Sequence, residues 1–370
     1  MTDLKIFAKV LFLFVLLSTA AYSNEPQDSL ELIKEHTEIV QDEHHSAEEK
    51  FEPGKFIMHH IADAYEWHIL SYEDFHLSIP LPVILYSEKS GLNIFMSNKL
   101  AHNHSYKGFK IVHEGENEGK IVEIINDEEI LPIDISITKN VASLFISVIL
   151  LMWIFFSIAK RYKTKPLSAP KGLQSWLEPI ILFIRDDVAK SSIGEKKYEK
   201  YMPFLLTLFF FIFFNNLLGL VPIFPGGANL TGNIAVTMIL ALFTFVITSF
   251  NAKKEYWIHI VNTPGVPWWL KFPIPLMPIV EIMGVFTKPF VLMIRLFANI
   301  TAGHIIALGF YSLIFIFGEI SMGLGYGVSV LSISFTIFMS LLELLVAFIQ
   351  AYVFTLLSAL YFGMATEEHH

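Results

Sequence analysis

The chain has no cysteine. Disulfides, thiol nucleophiles and cysteine metal sites are therefore excluded. Charge is scarce: 16% of the 370 residues are Asp, Glu, Lys or Arg, against 54% hydrophobic. Arginine is scarcer still, with only Arg161, Arg185 and Arg295. There is no His-Glu-x-x-His motif, no phosphate-binding glycine loop and no convincing nucleophile–base pair, which argues against a membrane-embedded hydrolase and leaves no metal or other cofactor to expect. No internal repeat is evident and the spans are few, which weighs against the main alternative, an ion-coupled secondary transporter. What is present is apolar sequence in long runs, the composition of an all-α polytopic membrane protein.

The net charge of −9 is an average over two unlike regions. Residues 24–137 hold 8 basic and 23 acidic residues, whereas residues 138–370 hold 16 basic and 11 acidic. The acidic part and the membrane part are expected to be separate regions, on different sides of the bilayer. Residues 1–23 read as a secretory signal peptide, with Lys5 and Lys9 before the apolar run Val10–Ala21 and a small-residue cleavage site at Ala21-Tyr22-Ser23. Residues 24–137 then form an exported acidic extension. Its first part, to Lys50, reads as disordered. The rest reads as a small, mostly β domain, with a short helix over Phe56–Leu70 and strands at His76–Tyr86, Leu92–Met96, Phe109–His113 and Ile121–Ile125. It contains seven of the fourteen histidines, at spacings that specify no metal site.

About five membrane helices are expected. Residues 138–162 form the first, and Lys160, Arg161, Lys163 and Lys165 follow it, marking that end as cytoplasmic by the positive-inside rule. Residues 163–200 form a linker and an amphipathic helix on the cytoplasmic surface, with Leu173, Trp176, Leu177, Ile180, Ile181, Ile184 and Val188 at helical spacing and Pro179 delaying its start. Residues 201–370 form the remaining spans: Pro203–Val221, Ile234–Phe250, Ile279–Phe317 and Val328–Phe362. Trp268 and Trp269, in the cytoplasmic loop before the last pair, suit the interface. The last two segments would each measure about 50 Å or more as straight helices, against a hydrocarbon core of about 30 Å, so they are expected as a long, tilted hairpin.

The organising stretch is Arg295-Leu296-Phe297-Ala298-Asn299-Ile300-Thr301-Ala302-Gly303-His304. A cation at the centre of a membrane helix costs about 2.5–3.5 kcal/mol on insertion scales. At about 100° per residue, Arg295, Asn299 and Ala302 share one face with Ala298 beside them, and small residues there would let a second helix approach. His304, nine residues on, points to the opposite side. A path for protons needs titratable or water-binding groups through the membrane. The candidates are Asn216, Asn233, His304, Glu343 and Gln350, with Glu281 nearer the cytoplasm. Glu343 and Gln350 are seven residues apart on one helix face, and His304 is the natural partner for a buried Glu343. A plain helix–helix hydrogen bond without transport is the alternative for that pair. A structural scaffold would account for neither Arg295 nor the other polar groups.

Arg-Leu-Phe-Ala-Asn-Ile-Thr-Ala-Gly-His resembles the signature of the subunit a family of F-type ATP synthases, and the resemblance covers roughly residues 138–368. It implies the stator half of a proton channel, packed against a ring of c subunits and joined to peripheral-stalk b subunits, in the bacterial inner membrane, with lipid around it and no nucleic acid. It implies two offset half-channels and a non-catalytic subunit of a rotary enzyme. Arg295 takes the essential position at the reacting carboxylate of the ring, and Asn216, His304, Glu343 and Gln350 match path positions. Asn299, Asn233 and Glu281 complete the candidate set. Gly219 stands where some members have an aspartate. The resemblance leaves residues 51–137 unexplained.

Overall fold

The computed structural model describes residues 52–367, apart from short gaps at 73–74, 101–103, 113–116, 118, 126–127, 165–168, 222–223 and 262–275. The expected signal peptide, the acidic stretch to Lys50 and the Trp268–Trp269 pair lie outside the described residues.

Among the described residues five helices are long and apolar enough to cross a membrane, and a small strand-rich region precedes them. That region opens with α1 (Pro53–Ile61) and continues as β1 (Glu66–Tyr72), β2 (Phe75–Pro80), β3 (Pro82–Ser87), β4 (Gly91–Met96), β5 (Phe109–Ile111), β6 (Ile121–Ile125), β7 (Glu128–Ile130) and β8 (Ile133–Asp134). The strands form three small antiparallel sheets: β1–β2, β4–β3–β8 and β5–β6–β7. Alternation in β3 and β4 sends Val83, Leu85 and Phe95 inward, where they meet Leu100, Phe109 and Ile121 in one core. Burial, and then the charge of Asp134, push the Tyr65 hydroxyl well above its ordinary range, so it stays protonated and donates to Asp134 Oδ2 at 2.5 Å.

Two expectations for this region need correction. The helix over Phe56–Leu70 ends at Ile61 and gives way to β1. Asp63 turns the chain by accepting from the Ala64 N–H at 2.9 Å, and the Trp, Ile and Tyr residues beyond it suit a strand better than a helix. The single strand over His76–Tyr86 is two strands, broken at Leu81 between Pro80 and Pro82, because proline supplies no N–H to continue a ladder.

The membrane part begins with α2 (Lys139–Thr164). A surface helix follows as α3 (Leu173–Phe183), a π-helical stretch Ile184–Lys190 and a last turn to Ile193. It buries Leu177, Ile184 and Val188, while Trp176 and Leu173 of the expected apolar face stand exposed. Pro179 does not delay the helix, which starts six residues earlier and carries the proline inside it, on an exposed position. Asp186 accepts from Arg185 and Lys190, and those bonds hold its carboxyl well below the usual range.

Next come α4 (Tyr198–Leu220), α5 (Ile234–Asn251) and a short α6 (Lys254–Val261). The last two helices are α7 (Leu276–Ile320) and α8 (Met322–Thr366), 45 residues each, with Ser321 alone between them. At 1.5 Å per residue each runs about 67 Å, twice the hydrocarbon thickness. Helix α7 runs unbroken through Pro289, a residue tolerated within membrane helices because its surroundings can satisfy the freed carbonyl. At the hairpin tip a Cβ on Gly325 would come within 2.9 Å of the Gly318 Cα, so the two backbones meet where only glycine fits. The core is built on α4: Leu205, Leu208, Phe209, Phe210 and Phe211 are fully buried among residues of α5, α7 and α8. Phe209 and Phe213 meet Phe348 of α8 edge to face at 5.7 and 5.6 Å.

Candidate functional site

Arg295 lies a little before the middle of α7. Its helix, packed on α5 and α8, buries Leu292, Met293 and Leu296, and that choice rotates Arg295, Ala298, Asn299 and Ala302 to the outside, where all four are exposed. The expected shared face is therefore present, and among the described residues nothing covers it. Among the described residues Arg295 takes part in no ion pair. Its charge reaches Tyr361 of α8. An uncovered arginine framed by Phe290, Val291 and Ile294, all exposed, is a cation presented sideways out of an apolar surface.

His304 falls on the other side of α7, partly buried and turned toward α4. A Cβ added to Gly219 would sit 3.7 Å from His304 Nε2 and 3.4 Å from the Ala228 carbonyl, so the missing side chain at position 219 is what makes room for the imidazole. Glu343 of α8 lies against the preceding residue of α7: a Cβ on Gly303 would come within 2.6 Å of its Oε1. The two titratable groups thus border the same turn of α7 but from different sides, and among the described residues no hydrogen bond or ion pair joins them. The expected partnership of His304 with Glu343 is thus neither a hydrogen bond nor an ion pair in this structure. Glu343 approaches α7 at Gly303, while the next residue, a helical step of about 100° on, already faces α4.

The polar groups around this turn divide into occupied and available ones. Asn216 of α4 is fully engaged: its Nδ2 donates to the Ala347 carbonyl of α8 at 3.2 Å, and its Oδ1 accepts from Thr231 Oγ1 at 2.6 Å. It fastens α4 to α8 one turn from buried Gln350. Asn233 caps α5, its Oδ1 accepting from the Ala235 and Val236 N–H groups at 2.8 and 3.4 Å. Asn299, by contrast, is exposed beside Arg295, four residues along the same face. Thr301 Oγ1, buried, reaches the Gly232 carbonyl at 3.5 Å, tying α7 to the α4–α5 connection.

Toward the opposite end of α7, Glu281 and Lys288 lie within reach of each other's charge, and Glu281 also reaches Tyr256 of α6. The Lys288 ammonium sits 5.5 Å from the centre of the Tyr361 ring. Tyr256, Lys288 and Tyr361 line an open cleft together with Thr244 and Thr248. Sequence reasoning named Glu281 but missed Tyr256, Tyr361 and Thr231. The available signal was a phenol or hydroxyl interrupting an apolar run, which is weak, because such groups more often satisfy their own helix, as Thr207, Thr248 and Thr355 do here.

The chain as a whole resembles known proteins. Residues 141–363 match the family described as ATP synthase A chain. Residues 56–141 match a second family, described as a domain of unknown function. The chain is 42% identical over 277 residues to the ATP synthase subunit a of Chloroherpeton thalassium, covering 72% of this chain and 75% of that one. It is 48% identical over 244 residues to ATP synthase subunit a 2 of Chlorobaculum tepidum, covering 64% and 65%. It is 44% identical over 243 residues to the subunit a of Myxococcus xanthus, covering 64% and 75%.

Proposed function

This chain belongs to the ATP synthase A chain family, the proton-translocating stator subunits of the Fo sector, and from that premise we propose how its own residues carry the proton. The observation that carries the reading is the Arg295 face: an exposed cation with no ion pair among the described residues, in the uncovered wall of an apolar hairpin. A cation so placed is stabilised by a carboxylate that no described residue of this chain supplies. A ring of c subunits, each bearing one carboxylate, supplies it in turn, and peripheral-stalk b subunits hold this chain still.

Protons enter from the side of the β-rich domain, past Asn216, Gln350, His304 and Glu343, and neutralise a ring carboxylate, which then moves through lipid without the cost of a buried charge. After nearly a full turn the carboxyl reaches the cleft near Glu281 and Lys288 and gives its proton up. Arg295, between the two routes, favours the ionised carboxylate and repels protons, so the routes do not join. Asn299, on the same face, offers a neutral hydrogen-bonding group beside the charge. Asn233 acts by fixing the start of α5, which keeps the Thr231–Asn216 contact in place. Lys160 and Arg161, at the end of α2 far from the β-rich domain, support an orientation in a bacterial inner membrane with that end cytoplasmic and the β-rich domain exported. A secondary transporter is not favoured, because the family match spans the whole membrane part.

The test is Arg295→Ala in the assembled complex, with ATP-driven acidification of inverted membrane vesicles as the readout and a native gel as the control for assembly. Loss of pumping in an assembled complex is the expected outcome. Pumping at the parent rate overturns the reading of the α7 face.

A further inference from the structure

The β-rich domain touches the membrane helices at three places around the path to His304. The Phe56 ring of α1 stands 6.3 Å from Phe315 of α7. Trp67 of β1 meets Phe224, in the α4–α5 connection, edge to face at 5.1 Å. Between these contacts Ala62, Asp63 and Ala64 close over the first turn of α2. The Lys139 N–H donates to the Ala64 carbonyl at 2.8 Å, Lys139 Nζ to the Ala62 carbonyl at 3.4 Å, and the Asn140 N–H to Asp63 Oδ1 at 3.0 Å.

Lys139 is an expensive residue in this position. It is partly buried at a membrane-facing helix start, and its charge reaches His304. A cation beside a proton entrance repels protons. Asp63 is the carboxylate whose charge reaches Lys139. The neighbouring carboxylate, Asp134, is held by the Tyr65 hydroxyl. Glu343, on the far side of the His304 turn, lies against Gly303. We propose that Asp63 and Lys139 form a charged gate at the exported mouth of the proton path, in which the Asp63 carboxylate offsets the Lys139 field so that protons can reach His304. Both are positioning residues, acting on the path through their charge. The gate rests on the proton-path reading of His304, and it gives the β-rich domain a part in conduction. Asp63 also caps α2, but that duty needs only an oxygen, which asparagine supplies as well.

The experiment uses the whole complex in membrane vesicles, with ATP synthesis driven by an imposed proton gradient. Asp63→Asn keeps the cap and removes the charge. An assembled D63N complex should synthesise about ten-fold more slowly, as expected for one uncompensated charge near the path. The double variant D63N/K139Q should recover most of the parent rate, and Asp63→Glu should keep it. A parent-like rate for D63N, or a double variant no faster than D63N, overturns the gate. If D63N fails to assemble, Lys139→Met alone decides: synthesis at or above the parent rate supports the gate, and slower synthesis in an assembled complex overturns it. His304→Ala separates the two levels. If it leaves synthesis unchanged, the path reading beneath the gate is what fails.

Discussion

Helices α4 and α7 have nearly the same mean hydropathy, 1.9 and 2.0, yet 61% of the apolar window of α4 is buried within the chain and 11% of that of α7. Helix α8, at 2.2 and 17%, sides with α7. Apolar content therefore says that a helix belongs in the membrane and nothing about what it faces there, because lipid and protein are equally apolar neighbours. The polar residues carry the missing information. In α4 the two asparagines point inward, and Asn216 is held there by Ala347 and Thr231. In α7 the strongest, Arg295, points outward. The α4 region is a finished interior, and the hairpin is half of an interface.

The largest effect that would sharpen this contrast comes from the tight side of α7. Gly303→Val puts a side chain where Glu343 Oε1 now lies, 2.6 Å from the first added carbon. Glu343 must swing away, and proton pumping by the assembled complex should fall by about a hundred-fold or more, the scale of losing a positioned proton-transfer group. Parent-like pumping would mean that Glu343 does not act from this position. Next is a matched pair of phenylalanines. Phe209→Ala empties a fully buried site in α4 and should cost about 3 kcal/mol of subunit stability, read as loss of folded subunit from detergent extracts. Phe290→Ala, 58% exposed on α7, should leave the lone subunit within about 0.5 kcal/mol of the parent while lowering its recovery with the c ring. Equal losses at both positions would break the comparison. A far smaller stability cost than at Phe209 belongs to Thr244→Val, which removes the 3.2 Å Thr244–Ser358 hydroxyl contact between α5 and α8 and should cost about 0.6 kcal/mol in thermal stability.

The membrane spans were legible because their signal is cumulative: apolar runs of the right length fix α2, α4 and α5 to within a few residues, and run length alone separates the long hairpin from simple spans. The Arg295 face was legible from helical spacing. What sequence could not supply was anything set by which helix sits next to which. The side from which Glu343 meets α7 depends on how α8 crosses it, and this decides that Gly303 rather than His304 receives it. Asn233 was readable as a helix cap from the apolar run that follows it, a rule that competes with its reading as a path residue. In the β-rich domain the errors fell at Asp63 and at Pro80–Pro82, where one side chain or one missing N–H redirects the backbone. The part played by Lys139 needed both the domain and the bundle in view, since its partners are 76 residues before it and 165 after it.

Seen as mechanics, the hairpin is a beam. Its two long helices are joined by one residue, and sideways force from a turning partner would bend it. A beam held at one end deflects far more than one held at both. Here both ends are held. The tip bears on α1 through Phe315, and at the other end the Ala365 and Thr366 carbonyls accept from the Lys253 N–H at 3.0 Å and from Lys197 Nζ at 2.7 Å. On the proposed function, a sideways force at Arg295 would be shared between two supports, and the β-rich domain is one of them.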